Sequence, residues 1–205
     1  MKFFKENSYD VIRLYINQVG ITIFSLALYF AVGMIENDAL FNKLKIVVSA
    51  FAFIFYLSLI YCVVWELGSK DKIRVDGGKM QPDRFKGLKL SAFSNIPNFF
   101  LALVSAILVL VYILSGSEGF KSVFGVFYLI LRFHSAMFLG IIIGVTPTFE
   151  NALVPGFYND CLLECILYFV LPLISLAVSH FAYYLGSRDK KLFGKKATNN
   201  GTNKN

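Results

Sequence analysis

From Ile46 to Trp65 the chain contains no charged residue, only Val, Ala, Phe, Ile, Tyr, Leu, Ser, Cys and the closing Trp. At a rise of about 1.5 Å per residue, roughly 20 such residues in a helix cover ~30 Å, the thickness of a bilayer's hydrocarbon core. Further apolar stretches cover residues 18–35, 97–115, 122–146 and 161–185. Only 16% of residues are charged and the mean hydropathy is +0.63, whereas soluble domains carry about 25% charge. The sequence therefore predicts an all-α polytopic integral membrane protein with about five hydrophobic helices. Residues 1–190 form one membrane domain, and 191–205 form a disordered basic tail.

The run ending at Trp65 is expected to close over 46–66, with the indole at the headgroup boundary. There the segment Leu67-Gly68-Ser69-Lys70-Asp71-Lys72 is echoed late in the chain by Leu185-Gly186-Ser187-Arg188-Asp189-Lys190. Glycine just past a helix accepts the left-handed conformation, and Lys or Arg beyond it suits the helix dipole and an anionic surface. Gly68 and Gly186 are thus expected to be helix exits.

Between them lies a polar loop, 68–93, with seven Lys or Arg residues. Asp76-Gly77-Gly78 is a turn signal and Ile73-Arg74-Val75 alternates like a short strand, so a small hairpin is expected. Phe85 to Leu90 interleaves apolar and basic residues, as interfacial segments do. Lys70, Lys72, Arg74, Lys86 and Lys89 are assigned to anionic lipid headgroups. Residues 1–17, with Lys2, Lys5 and Arg13, read as an amphipathic lead-in to the first span.

Basic residues cluster before the first span, in the central loop and in the tail, which places all three in the cytoplasm, with 36–42 and 147–160 outside. Five complete spans would put the termini on opposite faces. The favoured resolution is four full spans with 122–146 re-entrant or tilted, and both termini cytoplasmic. The Lys-rich, Phe-, Ile- and Asn-rich composition fits an AT-rich bacterial genome, hence a bacterial plasma membrane.

Arg132 and His134 lie inside region 122–146, and an ionisable residue within a span is a functional candidate by default. Glu164, His134 and His180 are its available polar partners, and these four form the substrate or ion candidate set. Arg132, Ala136, Gly140 and Gly144 recur at steps of four, one stripe of a continuous helix whose small residues let a second helix approach. Ala27 and Ala31 make a similar pair in the first span.

No Gly-x-Ser-x-Gly elbow, Gly-Lys-Ser/Thr phosphate loop, Gly-x-Gly-x-x-Gly fingerprint or His-Glu-x-x-His motif occurs, so no catalytic residue, metal or cofactor is assigned. Cys62, Cys161 and Cys165 are read as packing residues, since neighbours on one helix face lack disulfide geometry. The basic segments lack a nucleic-acid-binding motif, which excludes that partner. Membrane lipids, a membrane-protein partner and a second copy of the chain remain. In size, helix count and small-residue faces the chain resembles the substrate-binding components of vitamin importers, which usually have six spans. The expected function is a small-molecule transporter or a membrane subunit of a transport complex. The alternatives are a non-catalytic scaffold or accessory protein and a lipid-modifying enzyme.

Overall fold

The computed structural model describes residues 2–35, 38–146 and 157–190. The tail 191–205 lies outside the described residues, as do most of the expected loop 147–160 and part of 36–42. Among the described residues the structure is helical, with no strand. In chain order the elements are α1 (Lys2–Gly33), α2 (Asp38–Asp76), α3 (Lys86–Ser94), α4 (Ile96–Ser115), α5 (Glu118–His134), a 3-10 turn (Ala136–Phe138), α6 (Leu139–Val145) and α7 (Phe157–Gly186). Four helices among the described residues, α1, α2, α4 and α7, are long and apolar enough to cross a membrane. The pair α5 and α6 passes the same test only when joined across a 78° bend.

The expected lead-in is not a separate element. α1 is continuous from Lys2, apart from a kink at Asn7 (φ −122°, ψ 18°), whose side-chain amide donates to the Phe3 carbonyl at 2.9 Å. Before the kink, Phe3 stacks on Phe93 of α3 with ring centroids 5.8 Å apart.

α2 overruns its expected end at residue 66 by ten residues, and the segment proposed as a hairpin is its last part. Ion pairs one turn apart, Glu66 with Lys70 at 2.7 Å and Asp71 with Arg74 at 3.6 Å, carry the helix past Trp65. It stops at Gly77-Gly78, where Gly78 takes φ 68° and Lys79 N–H returns to the Arg74 carbonyl at 2.9 Å. The glycine cap is therefore at residue 78, and Gly68 is not a helix exit but lies in the interior of α2. α7 does end at Gly186, as expected of an exit, but the left-handed residue there is Asp189 (φ 55°), with Lys190 N–H bonded to the Leu185 carbonyl at 3.0 Å, so the glycine is not the left-handed cap.

Both glycines serve packing. A Cβ on Gly68 would stand 2.6 Å from the Tyr183 carbonyl oxygen, and one on Gly186 would run into the Trp65 carbonyl. α2 and α7 thus touch backbone to backbone. α7 is the central helix, burying Cys161, Glu164, Cys165, Tyr168, Pro172, Ser175, Ser179 and Tyr183 along one seam at helical spacing. α3 lies on it closely enough that a Cβ on Gly87 would meet Tyr183 Cβ at 2.5 Å. α4 opens on Ile96-Pro97 and closes on Gly116 (φ 64°), burying Asn98, Ala102, Ser105 and Val109.

The contacts define two ends of the bundle. At one end, Arg13 of α1 pairs with Glu66 of α2 at 3.4 Å, Asn95 before α4 donates to Ser175 of α7 at 3.2 Å, and Trp65 Nε1 donates to the Lys190 carbonyl at 2.7 Å. The start of α1 and the end of α7 share this end. At the other end, Tyr112 of α4 meets Tyr158 of α7 at 4.4 Å, and Phe124 of α5 meets Tyr158 at 6.4 Å.

α5 enters from that second end and reaches the middle of α1, where Thr22 Oγ1 donates to the His134 carbonyl at 3.0 Å. Ser135 (φ −112°, ψ 29°) then ends the helix. Phe138 packs on Phe53, the Gly140 amide donates to Ser49 Oγ at 2.8 Å, and a Cβ on Gly144 would meet Ile46 at 3.1 Å. These contacts run along α2 toward its start, so α5 and α6 form a bent pair, or hairpin, with a 78° bend between its arms. The expected single stripe through Arg132, Ala136, Gly140 and Gly144 is broken accordingly. Arg132 belongs to α5, while Gly140 and Gly144 pack on α2 from α6. Ala27 and Ala31 are both exposed.

Candidate functional site

Glu164 is the most buried carboxylate in the chain's described part, with a side chain only 2% exposed. One turn of the central helix separates it from Tyr168, and Cys161 lies one turn the other way. The hairpin brings three groups to it. Tyr128 of α5 donates its hydroxyl to Oε2, Thr146 at the end of α6 places Oγ1 2.9 Å from Oε1, and Arg132 Nη2 lies 3.8 Å from Oε2. The Arg132 guanidinium also sits over the Tyr128 ring, 5.3 Å from its centroid, and its side chain is 12% exposed.

The bend is what allows this convergence. On one straight helix Tyr128 and Thr146 would be about 27 Å apart, yet both reach the same carboxylate. Removing a carboxylate and a guanidinium from water costs several kcal/mol each, and opposed charges with added hydrogen bonds offset that cost. The cluster is thus a pair of opposed charges whose carboxylate also takes two hydroxyl contacts, and its geometry depends on α5, α6 and α7 together.

Of the candidate set, Arg132 and Glu164 meet. His134 does not join them: its ring lies 5.9 Å from that of Tyr15, and its Nε2 has no hydrogen-bond partner among the described residues. His180 is 16 residues farther along α7 than Glu164, about 24 Å away, and stacks on Phe85 with centroids 5.6 Å apart. Tyr128 and Thr146 were missed, since nothing in their local sequence distinguishes them from any other Tyr or Thr on an apolar helix.

Against the hairpin lies a cavity of about 420 Å³ lined by Leu26, Tyr29, Lys45, Leu129, Arg132 and Ile143 among others. Tyr29 Oη is 2.6 Å from Ser49 Oγ, which holds this wall to α2. A Cβ on Gly140 would collide with that hydroxyl and with the Lys45 carbonyl.

The basic residues of the former loop divide. Lys86 is not available to headgroups: it is buried, with Nζ 2.6 Å from Asp71 Oδ2, and Tyr183 donates to the same oxygen at 3.0 Å. Lys89 pairs with Asp83 at 2.8 Å and is half exposed. Lys70 and Arg74 are exposed while pairing along α2, and Lys72 is partly exposed. A second polar cluster that the sequence did not reveal joins Asn95, Asn98, Ser91 and Ser175, with Asn98 Nδ2 2.9 Å from Asn95 Oδ1. Among the described residues no group of His, Cys, Asp and Glu could hold a metal ion. Cys161 and Cys165 are free and buried, and Cys62 is free and exposed.

No protein-family model matches the chain, and no curated protein or solved structure matches it either.

Proposed function

We propose that the chain is a small-molecule transporter, or the membrane subunit of a transport complex, with its substrate site at the bend between α5 and α6. The observation that carries this reading is the Arg132–Glu164 pair, held by Tyr128 and Thr146 at a broken helix inside the bundle. Ionisable groups in spans are expensive, and discontinuous helices near the midplane are where secondary transporters bind solutes. Four full spans with α5–α6 re-entrant place both termini on one face, the cytoplasmic one. That end carries Arg13, Lys70, Lys72, Arg74, Lys79, Arg84, Lys86, Lys89, Arg188 and Lys190, against Lys43, Lys45 and Lys121 at the other. The imbalance obeys the positive-inside rule, and exposed Lys70 and Arg74 meet anionic headgroups there.

The test is reconstitution into neutral-lipid vesicles and uptake of a panel of small anions, cations and neutral solutes. The account expects protein-dependent, saturable uptake of an anion, lost in Arg132→Gln and retained in the exposed-site control Lys121→Gln. Vesicles that take up no member of the panel above protein-free controls favour a non-catalytic scaffold instead.

A further inference from the structure

The cavity beside the hairpin has an apolar body and a cationic end. Leu26, Leu129, Phe133, Leu139 and Ile143 form its walls, and Lys45 and Arg132 are its two charged lining residues. Leu129 and Phe133 are exposed at 56% and 50% on the outer side of α5, so the cavity opens sideways, where acyl chains surround the bundle. Glu164 pairs with Arg132 from the α7 side. Lys45 Nζ rests 5.3 Å from the Phe41 ring centroid. Lys45 and Arg132 together make one end of the cavity cationic. An anionic head complements that end, and an apolar tail fills the rest. At about 420 Å³ the space lies toward the small end of ligand pockets, ~300–1,000 Å³, which suits one chain rather than two.

We propose that this cavity binds a single-chain anionic amphiphile of the long-chain carboxylate class, its head at Lys45 and Arg132 and its tail between α1, α5 and α6. This rests on the transport reading, for which it names the substrate class. The probes are hexadecanoate, hexadecanol, hexadecyltrimethylammonium and acetate, added to the full-length protein in a neutral maltoside detergent, with equilibrium binding and thermal unfolding measured for each. Hexadecanoate alone should bind saturably and raise the unfolding temperature. Lys45→Gln removes a charge at a partly exposed position and Leu129→Trp fills the chain space from an exposed one, so both should fold. Each should raise the Kd for hexadecanoate at least about tenfold, the scale of a lost charge-assisted contact. Equal stabilisation by hexadecanol or by the quaternary ammonium would overturn the anionic assignment. Saturable acetate binding at the same site would overturn the need for a tail, and hexadecanoate binding unchanged in both variants would overturn the location. Site-dependent hexadecanoate binding with no vesicle flux would uphold the site and remove transport. Flux of another solute that persists in Lys45→Gln and Leu129→Trp would uphold transport and remove this ligand.

Discussion

Gly68 and Gly186 face each other across the crossing of α2 and α7, and the contact is reciprocal. A Cβ on Gly68 would meet the Tyr183 carbonyl and the Gly186 Cα, at 2.6 and 3.2 Å, and one on Gly186 would meet the Trp65 carbonyl and, at 3.1 Å, the Ser69 amide. Trp65 and Tyr183 each precede the glycine of their own helix by three residues. The repeated Leu-Gly-Ser segment is thus a local two-fold contact between two helices that run in the same direction. Gly68→Ala and Gly186→Ala should each cost about 1–3 kcal/mol, because neither backbone can yield to the added methyl. Gly125→Ala, where a Cβ meets nothing within 4 Å, should be neutral or slightly stabilising in a thermal unfolding assay.

Lys86 and Lys89 should respond unequally to neutralisation. Lys86→Met leaves the buried Asp71 with only the longer pair to exposed Arg74 and the Tyr183 hydroxyl, a loss of about 1–3 kcal/mol, whereas Lys89→Met breaks a half-exposed pair worth less than ~1 kcal/mol. Replacing Asp71 and Lys86 together, by Leu and Met, should recover most of the loss. Equal melting temperatures for the two single variants would place Lys86 at the surface.

For the hairpin, a double-mutant cycle over Arg132→Gln and Glu164→Gln should give a coupling of about 0.5–3 kcal/mol, the double variant being more stable than the sum of the singles implies. Tyr128→Phe should cost about 1–3 kcal/mol by leaving the carboxylate short of a donor. Strict additivity would mean that the two charges do not act on each other.

How much of this was legible follows from where each signal lives. The four long helices could be read directly, because a lipid-facing helix must be apolar on nearly every side and Val47, Ile54, Phe100, Ile107 and Leu173 advertise that locally. Arg132 and Glu164 stood out as charges in apolar runs. Their two hydroxyl partners did not, since Tyr128 and Thr146 converge only through the bend. The bend itself has no glycine or proline to announce it, as Arg132-Phe133-His134-Ser135-Ala136 shows. Gly68 was misread because a glycine before a basic segment looks the same whether it caps a helix or admits a neighbour. The cap was at Gly78, where two glycines follow Asp76.

The arrangement of the hairpin is tested most directly by side-specific labelling of single cysteines. Lys79→Cys, Ser117→Cys and Lys190→Cys, each in a chain with Cys62, Cys161 and Cys165 replaced by Ala, are exposed to a membrane-impermeant maleimide in intact cells and in inverted vesicles. Four spans with a re-entrant α5–α6 predict that positions 79 and 190 label only in inverted vesicles and position 117 only in intact cells. Labelling of position 190 together with 117 in intact cells would mean that the bent pair crosses the membrane, and would contradict the account.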